Sequence, residues 1–353
     1  MSSWVSRLNR APRRVKQPDP LTEQQILVTG GAGYIGSHVA VEVLNAGHGV
    51  VLVDNLVNSS ADSVPAVEAA TDRSVTFVEA DVTDRDAMVS VLRDNNIGAV
   101  IHMAALKAVG ESVAQPLSYY ANNIGGLVTL LDAMDEVGAR QFVFSSSATV
   151  YGDAESVPIP ESAPLSATNP YGQTKLMAEQ ILRDVAASDP TWSILALRYF
   201  NPVGAHPSGN ISEAPKGKPN NLMPSVMAAA RGDIDQVMVF GDDYDTVDGT
   251  GVRDYIHVMD LAAGHVAALE SLGGRTGFDA YNLGLGTGVS VLELIAAASK
   301  ASEVDIAYEV VERRPGDVAA SIADPTRAMA DLGWSAKLNI DQACEDTWRS
   351  QSS

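Results

Sequence analysis

Three side chains near the middle of the sequence, Ser147, Tyr171 and Lys175, are of types that can pass a proton among them. Tyr171 and Lys175 bracket the run Tyr171-Gly172-Gln173-Thr174-Lys175, which follows Asn169 and Pro170. A polar cap followed by proline in the first turn predicts a helix start. A four-residue spacing then puts phenol and amine on one helix face. An ammonium beside a phenol favours the phenolate, so such a tyrosine can exchange a proton well below its free pKa of ~10. Ser147 closes the run Ser145-Ser146-Ser147, and its hydroxyl can bond a substrate hydroxyl that the phenol also reaches. Taken alone, this spacing equally suits an ordinary surface helix beside a serine-rich loop. The elements around it decide.

The strongest of these elements lies near the start. Ile26-Leu27-Val28-Thr29 has the continuous apolar character of a buried parallel strand. Gly30-Gly31-Ala32-Gly33-Tyr34-Ile35-Gly36 follows, then an amphipathic segment from Tyr34 to Asn45, then Val50 to Val53 ending in Asp54. Gly30, Gly33 and Gly36 allow a tight turn and a close approach to a pyrophosphate, with Tyr34 and Ile35 beside them. The following helix presents free N–H groups to that anion. An acid closing the second strand accepts hydrogen bonds from the two hydroxyls of an adenosine ribose. Asp54 would also repel a 2′-phosphate, so NAD is expected rather than NADP. Asn55 and Asn58 are candidates for further contacts to the adenosine half.

Strand and helix patterns go on alternating. Val75–Val78 leads to Asp81 and Val82, Ala99–His102 to Met103, Ala104 and Ala105, and Gln141–Phe144 to Ser145–Ser147. Helices are expected over Arg85–Asn95 and Leu117–Val137, and from Asn169 to Ser188. Successive βα units imply an α/β fold with a Rossmann-type, doubly wound parallel sheet, because parallel strands need crossovers. Ligands on such sheets sit beyond the carboxyl ends of the strands, where Asp81, Met103–Ala105 and the serines all fall. Asp81 is placed to bond an adenine amino group, or simply to cap the next helix. After Asn201 the chain becomes rich in Pro, Gly and Asn. The expected organisation is a basic arm over 1–22, an NAD-binding domain over 23–200 and a smaller mixed α/β substrate domain over 201–350.

Charge and composition narrow the function. The chain has 353 residues and a formal net charge of -20, which disfavours nucleic acid and anionic membranes as partners. An anionic substrate would need a local basic pocket, and arginine's fork of donors suits phosphate oxygens. There is one cysteine, Cys344, and the six histidines are scattered without ligand spacing, so no metal site is expected. No apolar run is long enough to span a membrane. The arm carries Arg7, Arg10, Arg13, Arg14 and Lys16, lacks a secretory apolar segment and is expected to be disordered. These features favour a cytoplasmic protein.

The glycine turn, Asp54, Ser147 and the Tyr171/Lys175 pair resemble the extended short-chain dehydrogenase/reductase family. Within it, the runs Leu106–Ser112, Phe144–Gly152, Arg198–Gly209, Pro219–Pro224 and Gly249–Leu261 resemble the UDP-glucose 4-epimerase family. The likeness extends from about Ile26 nearly to the end of the chain. It implies a tightly held NAD and reversible exchange of UDP-glucose and UDP-galactose through a transient 4-keto sugar. It also implies that Tyr171 is the base for the sugar 4-hydroxyl, that Lys175 bonds the nicotinamide ribose and lowers the tyrosine pKa, and that Ser147 orients the hydroxyl. Lys107, Asn122, Ala104, Ser145 and Phe200 match cofactor positions. Asn201, Asn221, Leu222, Phe240, Arg253, Arg314 and Asp317 match positions holding the UDP-sugar. A homodimer through the helices of Leu117–Val137 and Asn169–Ser188 is implied as well.

Ser321 departs from members restricted to glucose and galactose, which often carry a bulky tyrosine there. A serine leaves room for a 2-acetamido group, so N-acetylated UDP-hexoses are expected as further substrates unless a neighbour fills the space. Two rival readings are less well supported by the residues. A nucleotide-sugar dehydratase or decarboxylase needs an added acid beside the serine, where this chain has Ala148 and Thr149. A non-catalytic NAD-binding sensor on the same fold commonly lacks the tyrosine or the lysine, and both are present.

Overall fold

The computed structural model describes residues 24–213, 221–314 and 316–351; the basic arm lies outside them. The apolar runs pair as strands β1 (Gln25–Thr29), β2 (Gly49–Asp54), β3 (Thr76–Glu79), β4 (Ile97–His102), β5 (Gln141–Ser147) and β6 (Ser193–Tyr199). Between them come helices α1 (Tyr34–Asn45), α2 (Ser63–Thr71), α3 (Arg85–Asp94), α4 (Val109–Ala114), α5 (Pro116–Tyr119), α6 (Gly125–Val137) and α7 (Pro170–Ser188). The rest of the chain forms β7 (Asn201–Val203), α8 (Leu222–Arg231), β8 (Val237–Phe240), β9 (Val252–Arg253), β10 (Tyr255–His257) and α9 (Val258–Ser271). It continues with β11 (Gly277–Leu283), β12 (Val289–Ser290), α10 (Val291–Ser302), β13 (Tyr308–Val311), β14 (Ala320–Ser321), α11 (Thr326–Leu332) and α12 (Ile340–Gln351).

The main sheet has seven strands in the order β11-β6-β5-β4-β1-β2-β3, and every neighbouring pair is parallel. The chain winds outward from β1 in both directions, as expected for a doubly wound sheet. Alternate residues of each strand serve opposite faces. Ile26, Val28, Leu52, Ile101 and Val143 pack with α1 and α9 on one face. Leu27, Val51, Val53, Val100 and Phe142 pack with α3, α6 and α7 on the other. The sheet reaches beyond the division expected near residue 200, because its seventh strand, β11, comes from residues 277–283. Tyr255–His257 pairs with β7 in a separate two-stranded sheet. Residues of α8, β8, α10 and α12 share a further core, in which Cys344 is buried with its thiol pushed up to about 12 by desolvation.

Local signals explain how α7 begins. The Asn169 side chain accepts a hydrogen bond from the Gly172 amide at 2.9 Å, and Pro170 takes the first turn. The segment expected as one helix over Leu117–Val137 instead contains a π-helical turn at Tyr120–Ile124, between α5 and α6. Such turns mark places where a helix carries a functional or tertiary demand. Here Asn123 leaves the helix surface to bond Leu106 through both its amide groups, at 2.8 and 3.0 Å, and Thr174 of α7 at 3.1 Å.

Three histidines are buried as neutral rings. Desolvation lowers His38 to about 4, His102 to about 3 and His265 to about 4, from an ordinary 6.5. Each must take up a proton on unfolding in acid, so their contribution to stability is complete above pH 6.5 and lost as pH falls toward 4. The thermal-unfolding midpoint should therefore fall steadily between pH 6.5 and pH 4. A midpoint that is flat across that window would contradict the buried neutral state.

Candidate active site

The glycine turn leaves the end of β1 and passes close beneath the end of β4. Gly30 has φ +69°, and a β-carbon there would stand 2.9 Å from the Ala104 amide nitrogen. A β-carbon on Gly36 would stand 2.2 Å from the Gly30 carbonyl. Only glycine fits at either place, for conformation at the first and for helix–turn packing at the second. No side chain caps α1 at Gly33, so its first amides are left for an anion. This uncapped cradle fits the pyrophosphate of a dinucleotide. Tyr34 donates to the Gly204 carbonyl at 2.6 Å, tying the turn to the loop after β7. Ile35 packs into the core under the sheet.

Asp54 stands at the end of β2, as expected, and is buried. Its carboxylate accepts from the Ala32 amide at 3.1 Å, the Leu56 amide at 2.9 Å and the Ser59 hydroxyl at 2.8 Å. It therefore shapes the glycine turn directly. Asn55 donates to Asp81 at 2.9 Å, and Asp81 also accepts from the amide and hydroxyl of Thr83, which help to lower its pKa against desolvation. Asn58 is exposed. Val82 is buried in the core. Met103, Ala104 and Ala105 follow β4, with Thr29 accepting from the Met103 and Ala104 amides at 3.2 and 3.3 Å. Asn122 donates to Asn123 at 2.9 Å, and Phe200 is buried beside Tyr151 and Ala323.

The three chemical groups come together on β5 and α7. Lys175 is 4% exposed and donates to the Ser145 carbonyl at 2.7 Å. Desolvation lowers it to about 7, and its nitrogen lies 4.9 Å from the Phe144 ring centre and 5.9 Å from that of Tyr171. Tyr171 is pushed up to about 12 by desolvation, with the Ser147 hydrogen bond acting in the opposite direction. The depression of the phenol expected from the neighbouring ammonium does not appear in the protein alone. Desolvation is the larger cause there, while the Lys175 amine donates to a backbone carbonyl and is itself less readily charged. Thr149 donates to the Ser147 hydroxyl at 3.0 Å.

The second cluster is cationic. Arg314 lies with its guanidinium carbon 4.3 Å from the centre of the Phe240 ring and donates to Asp317 at 3.1 Å. Arg253 reaches the other Asp317 oxygen at 4.0 Å. Backbone bonds join this cluster to the end of β6. The Asn201 amide donates to the Asp254 carbonyl at 2.9 Å, and the Asp254 amide to the Ser321 carbonyl at 2.9 Å. Asn221 donates to Glu213 at 3.0 Å, and Lys107 reaches the same Glu213 oxygen at 3.4 Å. Leu222 packs against the second core. Glu213 was not anticipated, because a single acid in a polar loop carries no sequence signal. Among the described residues no group of His, Cys, Asp and Glu is placed to hold a metal ion.

A protein-family model described as GDP-mannose 4,6 dehydratase matches residues 27–347. The UDP-glucose 4-epimerase of Bacillus subtilis is 59% identical over 328 residues, covering 93% of this chain and 97% of that one. The chain belongs to the UDP-glucose 4-epimerase family. A crystal structure of a UDP-glucose 4-epimerase from Bifidobacterium longum, in complex with NAD+ and UDP, matches with a TM-score of 0.90 and 51% identity, covering 93% of this chain and 98% of that one. Another, from Stenotrophomonas maltophila with bound NAD and formylated UDP-arabinopyranose, matches with a TM-score of 0.92 and 50% identity over the same shares. Beside Ser147 the chain carries Ala148 and Thr149, so the extra acid that a dehydratase requires is missing from those positions.

Proposed function

We propose that Tyr171 carries the proton between the sugar 4-hydroxyl and the protein, with Ser147 orienting that hydroxyl and Lys175 fixing the local charge. The reaction is the NAD-dependent interconversion of UDP-glucose and UDP-galactose, a step of galactose metabolism, and membership of the family at 59% identity supports it. The single observation that carries the residue roles is the convergence of Ser147, Tyr171 and Lys175 where β5 meets α7. When bound, NAD would supply a reversible hydride acceptor for carbon 4 and a positive ring that favours a nearby phenolate.

This chain's own residues do the rest. The uncapped start of α1 and the Gly30 turn would hold the pyrophosphate, and Asp54 the adenosine ribose. Arg253 and Arg314 would bind the diphosphate of the UDP-sugar, with Asp317 holding both guanidiniums in place. Desolvation makes the phenol a reluctant donor at pH 7. Ser147 and local positive charge must therefore act together for Tyr171 to take the proton, and so the site needs both neighbours.

Three further readings follow from the same residues. Ser321 pairs with Arg253 in the register of β14 and β9, beside the cation cluster, and its small side chain supports acceptance of 2-acetamido sugars. Val109, Val113, Leu117, Val128 and Met177 are exposed on α4 to α7, with Leu117 81% exposed, which supports a homodimer through these helices. The acidic chain is read as cytoplasmic, which cell fractionation would test; no helix among the described residues is long and apolar enough to cross a membrane.

Tyr171→Phe should lower kcat for UDP-galactose conversion by at least ~100-fold while NAD stays bound, measured by UDP-glucose formation; wild-type turnover in this variant refutes the assignment. Turnover of UDP-GlcNAc by the native enzyme should be lost in Ser321→Tyr, with UDP-galactose turnover retained; no native turnover of UDP-GlcNAc removes the reading. Leu117→Asp should convert a dimer into a folded monomer in sedimentation, and an unchanged mass would place the dimer contact elsewhere.

A further inference from the structure

One helical turn beyond Lys175 stands an acid that the reaction does not use. Glu179 is fully buried and lies on the face of α7 that carries Tyr171 and Lys175. Its Oε1 accepts from the Ser146 hydroxyl at 2.7 Å and from Arg198 Nε at 2.9 Å. Its Oε2 accepts from Arg198 Nη2 at 2.6 Å and Arg183 Nη2 at 3.0 Å. Arg198 is 1% exposed and sits on β6 directly opposite Ser146 of β5. Its remaining nitrogen donates to the Tyr151 hydroxyl at 2.8 Å and the Glu161 carbonyl at 3.2 Å. Tyr151 in turn donates to Asn282 of β11 at 2.6 Å.

A pair buried this deeply is a poor device for stability alone. Desolvation of both charges offsets most of their attraction, and apolar residues of similar volume often serve as well. A bidentate pair adds direction, because it tolerates little sliding of one element past another. Ser146 is the residue between Ser145, whose carbonyl holds Lys175, and Ser147, whose hydroxyl acts on the Tyr171 phenol. Fixing Ser146 to α7 and β6 therefore fixes both functional contacts at once.

We propose that Glu179, held by Ser146 and Arg198, is a positioning residue that sets the register of α7 along β5 and so the Ser147–Tyr171 and Ser145–Lys175 contacts. This inference rests on the reading of Tyr171 as the proton carrier. The network continues from Arg198 through Tyr151 and Asn282 to the Ile159 carbonyl, which accepts from the Asn282 side-chain amide at 2.8 Å, and Ile159 bridges to Ala323, two residues past Ser321. The same set of buried bonds thus ties the proton-transfer helix to the strand that borders the expected sugar site.

The test assays full-length, NAD-loaded wild type, Ser146→Ala and Glu179→Gln with UDP-galactose across pH. Ser146→Ala keeps the ion pair and loosens only its hold on β5. It should lower kcat by about 10- to 100-fold with KM little changed, the scale of a small misplacement at the reacting group. The acid limb of its kcat profile should move to higher pH, because a weakened Ser147 bond no longer lowers the phenol. Glu179→Gln should show the same pattern more strongly. If it does not accumulate as folded protein, Arg198→Lys, which keeps the charge and loses the fork, takes its place. A purely structural role would lower the unfolding temperature and leave kcat and its acid limb at wild-type values in the folded enzyme, and that result overturns the proposal. Failure of the wild type to epimerise would instead overturn the reading of Tyr171, so the two failures are distinct.

Discussion

Removing a phenol from water makes it hold its proton. Tyr171 is pushed to about 12 by desolvation, and Lys175 is brought down to about 7 by the same cause. The site therefore starts from two groups that resist charge, and its chemistry depends on what is brought close to them. Ser147 acts in favour of the phenolate, and a cationic cofactor ring would act in the same direction. This requirement fits a strand end that delivers Ser145 and Ser147 to one helix, and a helix tied to β5 and β6 by buried hydrogen bonds.

The scaffold meets the requirement by simple means. A doubly wound parallel sheet gathers the ends of β1, β2, β4, β5 and β6 along one edge. The glycine turn's lack of side chains would let backbone amides approach a pyrophosphate, and Asp54 braces that turn through the Ala32 amide. Residues from the second half, Arg253, Arg314 and Asp317, gather cations on an otherwise acidic chain. Asn201, Asp254 and Ser321 link them by backbone hydrogen bonds to the end of β6. The glycine turn, the Tyr171/Lys175 pair and the cation cluster are thereby held by contiguous elements.

Much of this was legible in the sequence where the signal is local. The Asn169 cap, Pro170 and the Tyr171/Lys175 spacing place α7 to within a residue of its start. The βαβ order around Gly30 and Asp54 predicts both turn and acid. Features that depend on distant residues were not legible. The seventh strand, β11, joins β6 from almost eighty residues away, and no composition shift announces it. The π-helical turn at Tyr120–Ile124 follows from the demand that Asn123 bond Leu106 and Thr174, which periodicity does not reveal. The direction of Lys175 toward the Ser145 carbonyl, and the relation of Glu179 to Arg198, arise only when β5, β6 and α7 are assembled. The basic N-terminal arm stands outside the described residues.

The most direct measurement is the ultraviolet difference titration of Tyr171, taken as wild type minus Tyr171→Phe, with and without NAD. The account predicts a single tyrosine titrating near pH 12 in the protein alone and well below that with NAD bound. A midpoint that does not move on adding NAD would contradict it.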